Sequence, residues 1–174
     1  MKFLIVIDMQ NDFISGSLAN EQANVAADKI SEYINSFRGK IIFTRDTHAK
    51  NYLETQEGKN LPIKHCIDGT WGHSIDKRLI EAVKDNYTVI DKFTFGVDPQ
   101  DWKRIISGCN EKDMEIEVCG TLVDICVVSN ALILKALYPE AKIKLLSSMV
   151  GYRDIKDLES VKRILNACQI EIIE

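Results

Sequence analysis

Six short apolar runs, separated by segments of helical periodicity, constrain the fold of this chain more than any other feature. Strand character is found at residues 2–8, 40–44, 87–91, 114–120, 142–146 and 170–173. Helices are expected from Glu21 to Gly39 and at residues 75–85, 99–107, 125–137 and 155–168. Strands that alternate with helices predict an α/β protein with a six-stranded parallel sheet covered on both faces, hence three α/β/α layers of Rossmann-like order. The 174 residues suffice for one such domain, 1–174.

Two local expectations complete this outline. The segment between the first strand and Glu21 is predicted to be a polar, flexible loop because it contains Asn11, Asp12, Ser15 and Gly16. The last helix is amphipathic, and the residues expected to face the core are Ile155, Leu158, Val161, Ile164 and Leu165.

Composition and charge exclude several classes of protein. The formal net charge of −4, without a basic stripe, does not favour a nucleic-acid partner. The apolar start of the chain is expected to be a strand and not a signal peptide, and no apolar run is long enough to predict a membrane span. Five cysteines without a C-x-x-C pair do not predict a disulfide framework, which favours a cytoplasmic protein.

Cys126 lies where a strand is predicted to turn sharply into a buried helix. The strand ends at Gly120, and apolar residues on nearly every face begin at Ile125. At the first turn of a helix, unpaired N–H groups and the helix dipole favour a thiolate, so we expect a lowered pKa for Cys126. The alternative is that Cys126 is a small buried hydrophobic residue, as many cysteines are.

Four further candidate residues follow three other predicted strands. Asp8 follows the first strand, Asp46 and His48 follow the second, and Lys92 follows the third. The carboxyl ends of parallel strands meet at one edge of the sheet, where ligands bind. We therefore expect these side chains and Cys126 to lie close together.

Asp8, Lys92 and Cys126 together predict acyl transfer through a thioester. Cys126 is the candidate nucleophile, Lys92 lowers the thiol pKa and holds Asp8, and Asp8 transfers the protons. The N–H of Cys126 and one from the bend at residues 121–123 are candidates for an oxyanion hole. Taken singly, Asp8 also fits a carboxylate that caps a turn, and Lys92 a solvated lysine.

The aperiodic segment from Asp46 to about residue 74 predicts a functional loop and a metal site. Asp46, His48 and His65 form a plausible O/N/N ligand set for a divalent cation, with Glu57, or less favourably Glu54, as a further ligand. Both histidines also fit surface groups.

Two other residues of this loop receive different interpretations. His73 is expected to be a surface group outside the metal site. Trp71 is interpreted either as a wall of a substrate pocket or as plain loop packing.

The segments that contain these residues resemble the isochorismatase-like cysteine hydrolases, and the metal motif resembles that of the nicotinamidases. The matching segments occur in the family's order over nearly the whole chain: Ile7-Asp8-Met9-Gln10-Asn11-Asp12-Phe13, Thr44-Arg45-Asp46-Thr47-His48, Leu61-Pro62-x-x-His65-Cys66-x-x-Gly69-Thr70-x-Gly72, Asp91-Lys92 and Gly120-x-x-x-Asp124-x-Cys126-Val127.

The resemblance implies a three-layer fold and a definite division of roles. It implies the triad Asp8, Lys92 and Cys126, and an oxyanion hole formed by the N–H groups of Leu122 and Cys126 after a cis peptide at Thr121-Leu122. It further implies a divalent metal, usually zinc, on Asp46, His48 and His65 that binds the substrate's pyridine nitrogen. Phe13 would contact one side of the substrate ring. Family members are often homo-oligomers.

Three departures from the nicotinamidase pattern affect the substrate. Residues 51–54 contain no further histidine, which leaves Glu57 as the extra ligand; Leu61 stands where an aromatic residue is often found. Phe93-Thr94-Phe95-Gly96 follows Lys92 instead of a glycine, so this segment, with Phe95 as the candidate contact, would line the substrate end of the pocket differently.

The leading hypothesis is a metal-containing cysteine amidohydrolase that converts nicotinamide to nicotinate and ammonia, as a step of NAD salvage. A hydrolase of another small amide or carbamoyl compound fits the departures, and isochorismate hydrolysis is a weaker alternative. A non-catalytic receiver-like signalling module gives the histidine-bearing loop and Cys126 no role.

Overall fold

The computed structural model describes residues 1–84 and 87–174, and they form a parallel sheet covered by helices. The strands are β1 (Lys2–Ile7), β2 (Lys40–Asp46), β3 (Tyr87–Lys92), β4 (Glu115–Gly120), β5 (Lys142–Val150) and β6 (Glu171–Ile173). The α-helices are α1 (Asn11–Ile14), α2 (Glu21–Ser36), α3 (Gln56–Asn60), α4 (Lys77–Val83), α5 (Pro99–Ile105), α6 (Val128–Leu137) and α7 (Ile155–Ala167). Short 3₁₀ turns occupy Tyr52–Glu54 and Glu111–Asp113, and a π-helical turn at Val123–Val127 precedes α6.

The sheet has the order β3-β2-β1-β4-β5-β6, and all neighbouring strands are parallel. Strands β2 and β3 extend the sheet on one side of β1, and β4, β5 and β6 extend it on the other side. The strand order therefore reverses between β1 and β4, which is where an open parallel sheet forms its ligand crevice. The predicted six-stranded α/β fold is confirmed.

Side chains of the central strand β1 alternate between two cores. Phe3, Ile5 and Ile7 pack into a cluster with α5, α6 and α7, whereas Leu4 and Val6 pack into a cluster with α2 and α4. The five residues are fully buried, as expected for a central parallel strand covered on both faces. The three predicted layers are thus present.

Two local predictions are wrong. The expected flexible loop after β1 contains the helical turn α1, whose residue Asn11 is buried. Ile155 and Ile164 of α7 are 53% and 48% exposed, not inward. At about 100° per residue, each lies roughly 90° from the stripe formed by the buried residues Leu158, Val161 and Leu165.

Other expectations are met in part or remain predictions. α4 begins after Asp76, whose side chain accepts the Arg78 N–H, and the end of the expected helix 75–85 lies outside the described residues. All five cysteines are free thiols. Among the helices that the structure describes, none has both the length and the apolar character to span a membrane. That the chain forms one domain stays a prediction.

Candidate active site

Three strand ends bring the candidate triad together. Asp8 follows β1, Lys92 is the last residue of β3, and Cys126 lies in the π-helical turn after β4. The Nζ atom of Lys92 is 2.8 Å from Asp8 Oδ2 and 3.6 Å from Cys126 Sγ. All three side chains are buried. Residues that are 34 to 118 positions apart in the sequence therefore share one buried site at the predicted edge of the sheet.

The backbone at Asp8 turns out of the strand into a left-handed conformation, with φ at +48°. Aspartate tolerates this region better than most residues do. Thr44 on the neighbouring strand donates its hydroxyl to Asp8 Oδ1 at 2.6 Å, and the Asp8 N–H points to the Thr44 carbonyl at 3.2 Å. One carboxylate oxygen is thus fixed by Thr44, and the other faces Lys92.

The electrostatics of the triad correct one expectation. Burial raises the pKa of the Cys126 thiol well above its usual value; the Asp8 carboxylate raises it further, and Lys92 only partly opposes this. Burial also raises the pKa of Asp8, against the attraction of Lys92. The predicted lowering of the Cys126 pKa is wrong because loss of hydration outweighs the nearby ammonium.

The turn that precedes Cys126 has the backbone form that the resemblance implies. The Thr121-Leu122 peptide is cis. The next N–H, that of Val123, is occupied because it donates to the Gly151 carbonyl at 2.9 Å. Leu122 and Cys126 both line the pocket, so their N–H groups remain the candidate oxyanion donors.

Asp46, His48, Glu57 and His65 form a second cluster beside the triad. Their nearest ligand atoms all lie within 4.8 Å of one another. Asp46 Oδ2 is 2.9 Å from His48 Nε2 and 3.5 Å from His65 Nε2, and Glu57 Oε1 is 3.7 Å and 3.9 Å from these nitrogens. Two imidazoles and two carboxylates are a donor set that suits zinc or a similar divalent cation. The residues present therefore fit a metal.

Asp46 links this cluster to the triad, because its Oδ1 atom lies 3.2 Å from Lys92 Nζ. Burial alone would raise the pKa of Asp46, but hydrogen bonds from His48 and His65 outweigh it and hold the pKa below its usual value. Burial would lower the pKa of His65, but the hydrogen bonds to Asp46 and to the Ile63 carbonyl raise it. The cluster thus keeps an ionised carboxylate between two rings.

A pocket of about 970 Å³ opens onto both clusters. Cys126, Leu122, His65 and Glu57 are among the residues that line it. Phe13 lines it too, with its ring centre 5.6 Å from that of His65. Phe93 and Phe95, from the loop after β3, also contribute to the lining. The pocket can present a carboxamide to Cys126 while an attached ring contacts aromatic side chains.

The isochorismatase-domain family model matches residues 2–143 of this sequence. The chain belongs to the isochorismatase family. It is 27% identical to a nicotinamidase of Saccharomyces cerevisiae over the whole of both chains, and 31% identical to a nicotinamidase/pyrazinamidase of Mycobacterium tuberculosis over 75% of this chain and 77% of that one. The predicted resemblance to isochorismatase-like proteins of the nicotinamidase branch is confirmed.

Solved structures give the same fold for this isochorismatase-family chain. A nicotinamidase/pyrazinamidase of Bacillus subtilis superimposes with a TM-score of 0.81 at 22% identity, covering 99% of each chain. A pyrazinamidase of Pyrococcus horikoshii, solved in complex with zinc, gives 0.79 at 22% identity, covering 99% of this chain and 98% of that one.

Trp71 and His73, two residues of the long loop, lie in different environments. Trp71 is 63% exposed and is not among the described residues that line the pocket. Its carbonyl accepts a hydrogen bond from Asn11 Nδ2 at 2.8 Å, which holds the backbone of the turn and leaves the ring in solvent. The structure therefore does not place Trp71 as a substrate contact. His73 is buried and its Nε2 atom is 2.9 Å from Thr47 Oγ1, so the expected surface position is wrong.

Gln10 is a buried residue to which the sequence interpretation gave no role. Its Oε1 atom accepts the Asp46 N–H at 2.7 Å, and its Nε2 atom donates to the carbonyls of Asp46 and His73 at 2.9 Å each. It therefore fixes the backbone of a candidate metal ligand. Its place in the motif after β1 was the available signal.

Asp12 supports the other side of the same site. Its Oδ2 atom accepts the N–H of Cys66, the neighbour of His65, at 2.7 Å. Gly72 packs so tightly that a Cβ atom there would stand 1.9 Å from this oxygen. Asp12 thus fixes the loop that carries His65.

Proposed function

We propose that this isochorismatase-family chain hydrolyses nicotinamide to nicotinate and ammonia through a thioester on Cys126. The observation that carries the proposal is the Asp8, Lys92 and Cys126 cluster, whose Cys126 lines the same pocket as the candidate metal ligands Asp46, Glu57 and His65. The relatives named nicotinamidase support an amide-cleaving hydrolase of this type.

The proposed chemistry uses the triad in two steps. Cys126 Sγ attacks the carboxamide carbon while Asp8 takes the thiol proton, and the N–H groups of Leu122 and Cys126 stabilise the oxyanion. Asp8 returns a proton to the nitrogen, ammonia leaves, and the acyl group remains on sulfur. Asp8 then takes a proton from a water that attacks the thioester, which releases nicotinate and restores the thiol. Lys92 balances the charge of Asp8 throughout.

The residues that would hold a divalent metal, which we propose to be zinc, are Asp46, His48, His65 and Glu57. A bound metal would supply a Lewis-acid contact for the ring nitrogen of the substrate. The O/N/N/O donor set supports this, as does the zinc complex of the Pyrococcus horikoshii pyrazinamidase. Phe13 and Phe95 then contact the ring.

We further propose a cytoplasmic enzyme of NAD salvage that works as a homo-oligomer. Free thiols at all five cysteines support a reducing compartment. Trp71 and Phe93, which are 63% and 74% exposed, offer apolar surface for contact between copies.

A second candidate is another small amide or carbamoyl compound. The pocket of about 970 Å³ is at the upper end of the range for drug-sized ligands and thus much larger than a single pyridine ring requires. Phe93, Thr94 and Phe95, which follow Lys92, form part of that wider wall.

Ammonia release from nicotinamide by metal-analysed protein tests the proposal. We expect release by the wild type and a loss of at least about 10³-fold in Cys126→Ala, because the covalent step requires the sulfur. Ser129→Ala serves as a control for protein preparation and metal content, because Ser129 lies in the first turn of α6, three residues after Cys126. Comparable release by the Cys126→Ala variant would contradict the thioester. Release from other amides but not from nicotinamide would favour the second candidate.

A further inference from the structure

Asn130 is a fully buried side chain of α6 that takes no part in the chemistry above. Its Nδ2 atom donates to the carbonyls of Phe95 at 3.1 Å and Cys126 at 2.8 Å, and its Oδ1 atom accepts the Val97 N–H at 2.9 Å. Both amide hydrogens and the oxygen are therefore used. Two of the three bonds, those to Phe95 and Val97, connect α6 to the loop after β3.

That loop, residues 93–97, is anchored at its end by Val97, whose side chain is buried in the core, and it has few hydrogen bonds to the rest of the protein. Within the described parts of the chain, its hydrogen bonds to the rest of the protein come from Asn130 and from Lys92 Nζ, which donates to the Thr94 carbonyl at 3.1 Å. The rings of Phe93 and Phe95 are 74% and 48% exposed, so they add little burial. The position of these rings is therefore set mainly by their backbone.

The loop also approaches α6 closely. A Cβ atom at Gly96 would stand 2.4 Å from Ile133 Cδ1, which leaves little space between the loop and the helix. Asn130 lies one turn after Cys126, which belongs to the π-helical turn that precedes α6, and its bond to the Cys126 carbonyl ties the loop to the candidate nucleophile.

We infer that Asn130 is a positioning residue that sets the distance between the aromatic wall of the pocket and Cys126. It acts through Phe95, touches no substrate, and favours amides whose carboxamide is attached to a ring. An amide without a ring does not reach the wall and is insensitive to its position. The substrate part of this inference rests on the proposed function, whereas the attachment of the loop does not.

Hydrogen exchange followed by mass spectrometry tests the attachment in the metal-loaded enzyme. In Asn130→Ala we expect the Val97 amide to exchange about tenfold faster or more, because its acceptor is lost. Peptides from β1 and α2 should keep their wild-type exchange. Leu134→Ala is the matched control, since Leu134 is buried on the same helix and its truncation lowers stability without removing these bonds. The same exchange pattern in both variants would overturn the inference.

Kinetics test the effect on selectivity. In Asn130→Ala we expect the KM for nicotinamide to rise about tenfold, with a much smaller change in kcat, because the two hydrogen bonds that hold the loop of the aromatic wall are lost. The kcat/KM for propionamide, which has no ring, should change no more than in Leu134→Ala. Equal losses on both amides would overturn the assignment.

Asn130→Asp provides a second variant of nearly the same shape. At pH 8 its carboxylate still accepts from Val97 but lacks the amide donors to Phe95 and Cys126. We expect near wild-type exchange at Val97 together with the raised KM for nicotinamide. A wild-type KM in this variant would contradict the role of the donors. Absence of nicotinamide hydrolysis in the wild type would instead refute the proposed function, and the exchange experiment would still decide the role of Asn130.

Discussion

The two sides of the pocket are built in opposite ways. The metal-side wall, Asp46, His48 and His65, is buried, and each side chain is held by at least one polar partner. The ring-side loop, residues 93–97, exposes its aromatic side chains and is held by the buried Val97 and by hydrogen bonds to its backbone. A buried polar network is costly unless it is complete, which restricts change on the first side. The second side can change its side chains without that cost, and it is the side where specificity can vary.

Lys92 is the one side chain whose contacts join both sides in the described structure. Its Nζ atom contacts Asp8 at 2.8 Å, Asp46 at 3.2 Å and the Thr94 carbonyl at 3.1 Å. We expect Lys92→Met to abolish turnover and to lower the free energy of unfolding by about 3–5 kcal/mol, because two buried carboxylates lose their cation. Urea denaturation and ammonia release measure the two effects.

The control for this substitution is Lys2→Met, which removes a lysine side chain that is 52% exposed beside Glu115. An exposed pair contributes little, so we expect a change below about 1 kcal/mol. If Lys92→Met unfolds at the same urea concentration as Lys2→Met, the two sides are not joined energetically by this lysine.

Removal of a candidate metal ligand tests the metal-side wall without changing the ring-side loop. In His65→Ala we expect metal affinity to fall by more than the about 10–100-fold that loss of an outer-shell partner costs. Elemental analysis after dialysis measures this. His73→Ala is the matched control, since His73 is also a buried histidine of the long loop but contacts Thr47 and lies outside the four-residue cluster. Equal metal loss in both variants would argue against His65 as a ligand.

The chemistry-bearing residues could be predicted because they adjoin strands. Asp8, Asp46 and Lys92 lie at or directly after strand ends, and the parallel sheet brings such positions to one edge whatever the details of packing. Periodicity therefore sufficed to place them near Cys126. The pKa of Cys126 was not predictable in this way, because its direction depends on how completely the folded protein removes water from the thiol.

The residues that hold the site together could not be read from local pattern. Asp12 contacts Cys66 across 54 positions, and Asn130 contacts Phe95 across 35. Asn130 lies in an apolar helix that predicts only burial, and the buried environment of His73 likewise arises from tertiary contacts. Such partners can be identified only when the folded structure shows which segments pack against each other.

Asp12 supports the metal-side wall without belonging to it. In Asp12→Ala we expect metal affinity to fall by about tenfold, since the Cys66 N–H loses its acceptor beside His65. The free energy of unfolding should fall by about 1–3 kcal/mol. Competition with a chelator measures the affinity. Asp28→Ala, at an exposed aspartate on α2, should change neither property, and an equal effect there would contradict a local role for Asp12.

The pH dependence of metal uptake probes the same wall. In the metal-free protein the pKa of His65 is raised above its usual value of about 6.5. Protonated His65 therefore stabilises the folded, metal-free protein below this pH. This stabilisation is lost as the pH rises through the raised pKa. A ligand must be deprotonated, so metal affinity should rise by up to about tenfold per pH unit and then level off above that pKa. Asp46, with its lowered pKa, adds no proton in this range. A flat affinity between pH 5.5 and pH 8, in a titration that resolves about a twofold change, would contradict this assignment.

The smallest effect is expected on the ring-side loop, where Phe95→Ala removes one aromatic contact and no buried polar partner. We expect the KM for nicotinamide to rise about threefold to tenfold while metal content and stability stay unchanged. Trp71→Ala is the control, because Trp71 is also an exposed aromatic residue but does not line the pocket. An equal rise in the KM for nicotinamide in both variants would contradict a specific contact between Phe95 and the substrate ring. A loss of metal in Phe95→Ala would show that the two sides of the pocket are coupled, contrary to the comparison drawn from their burial.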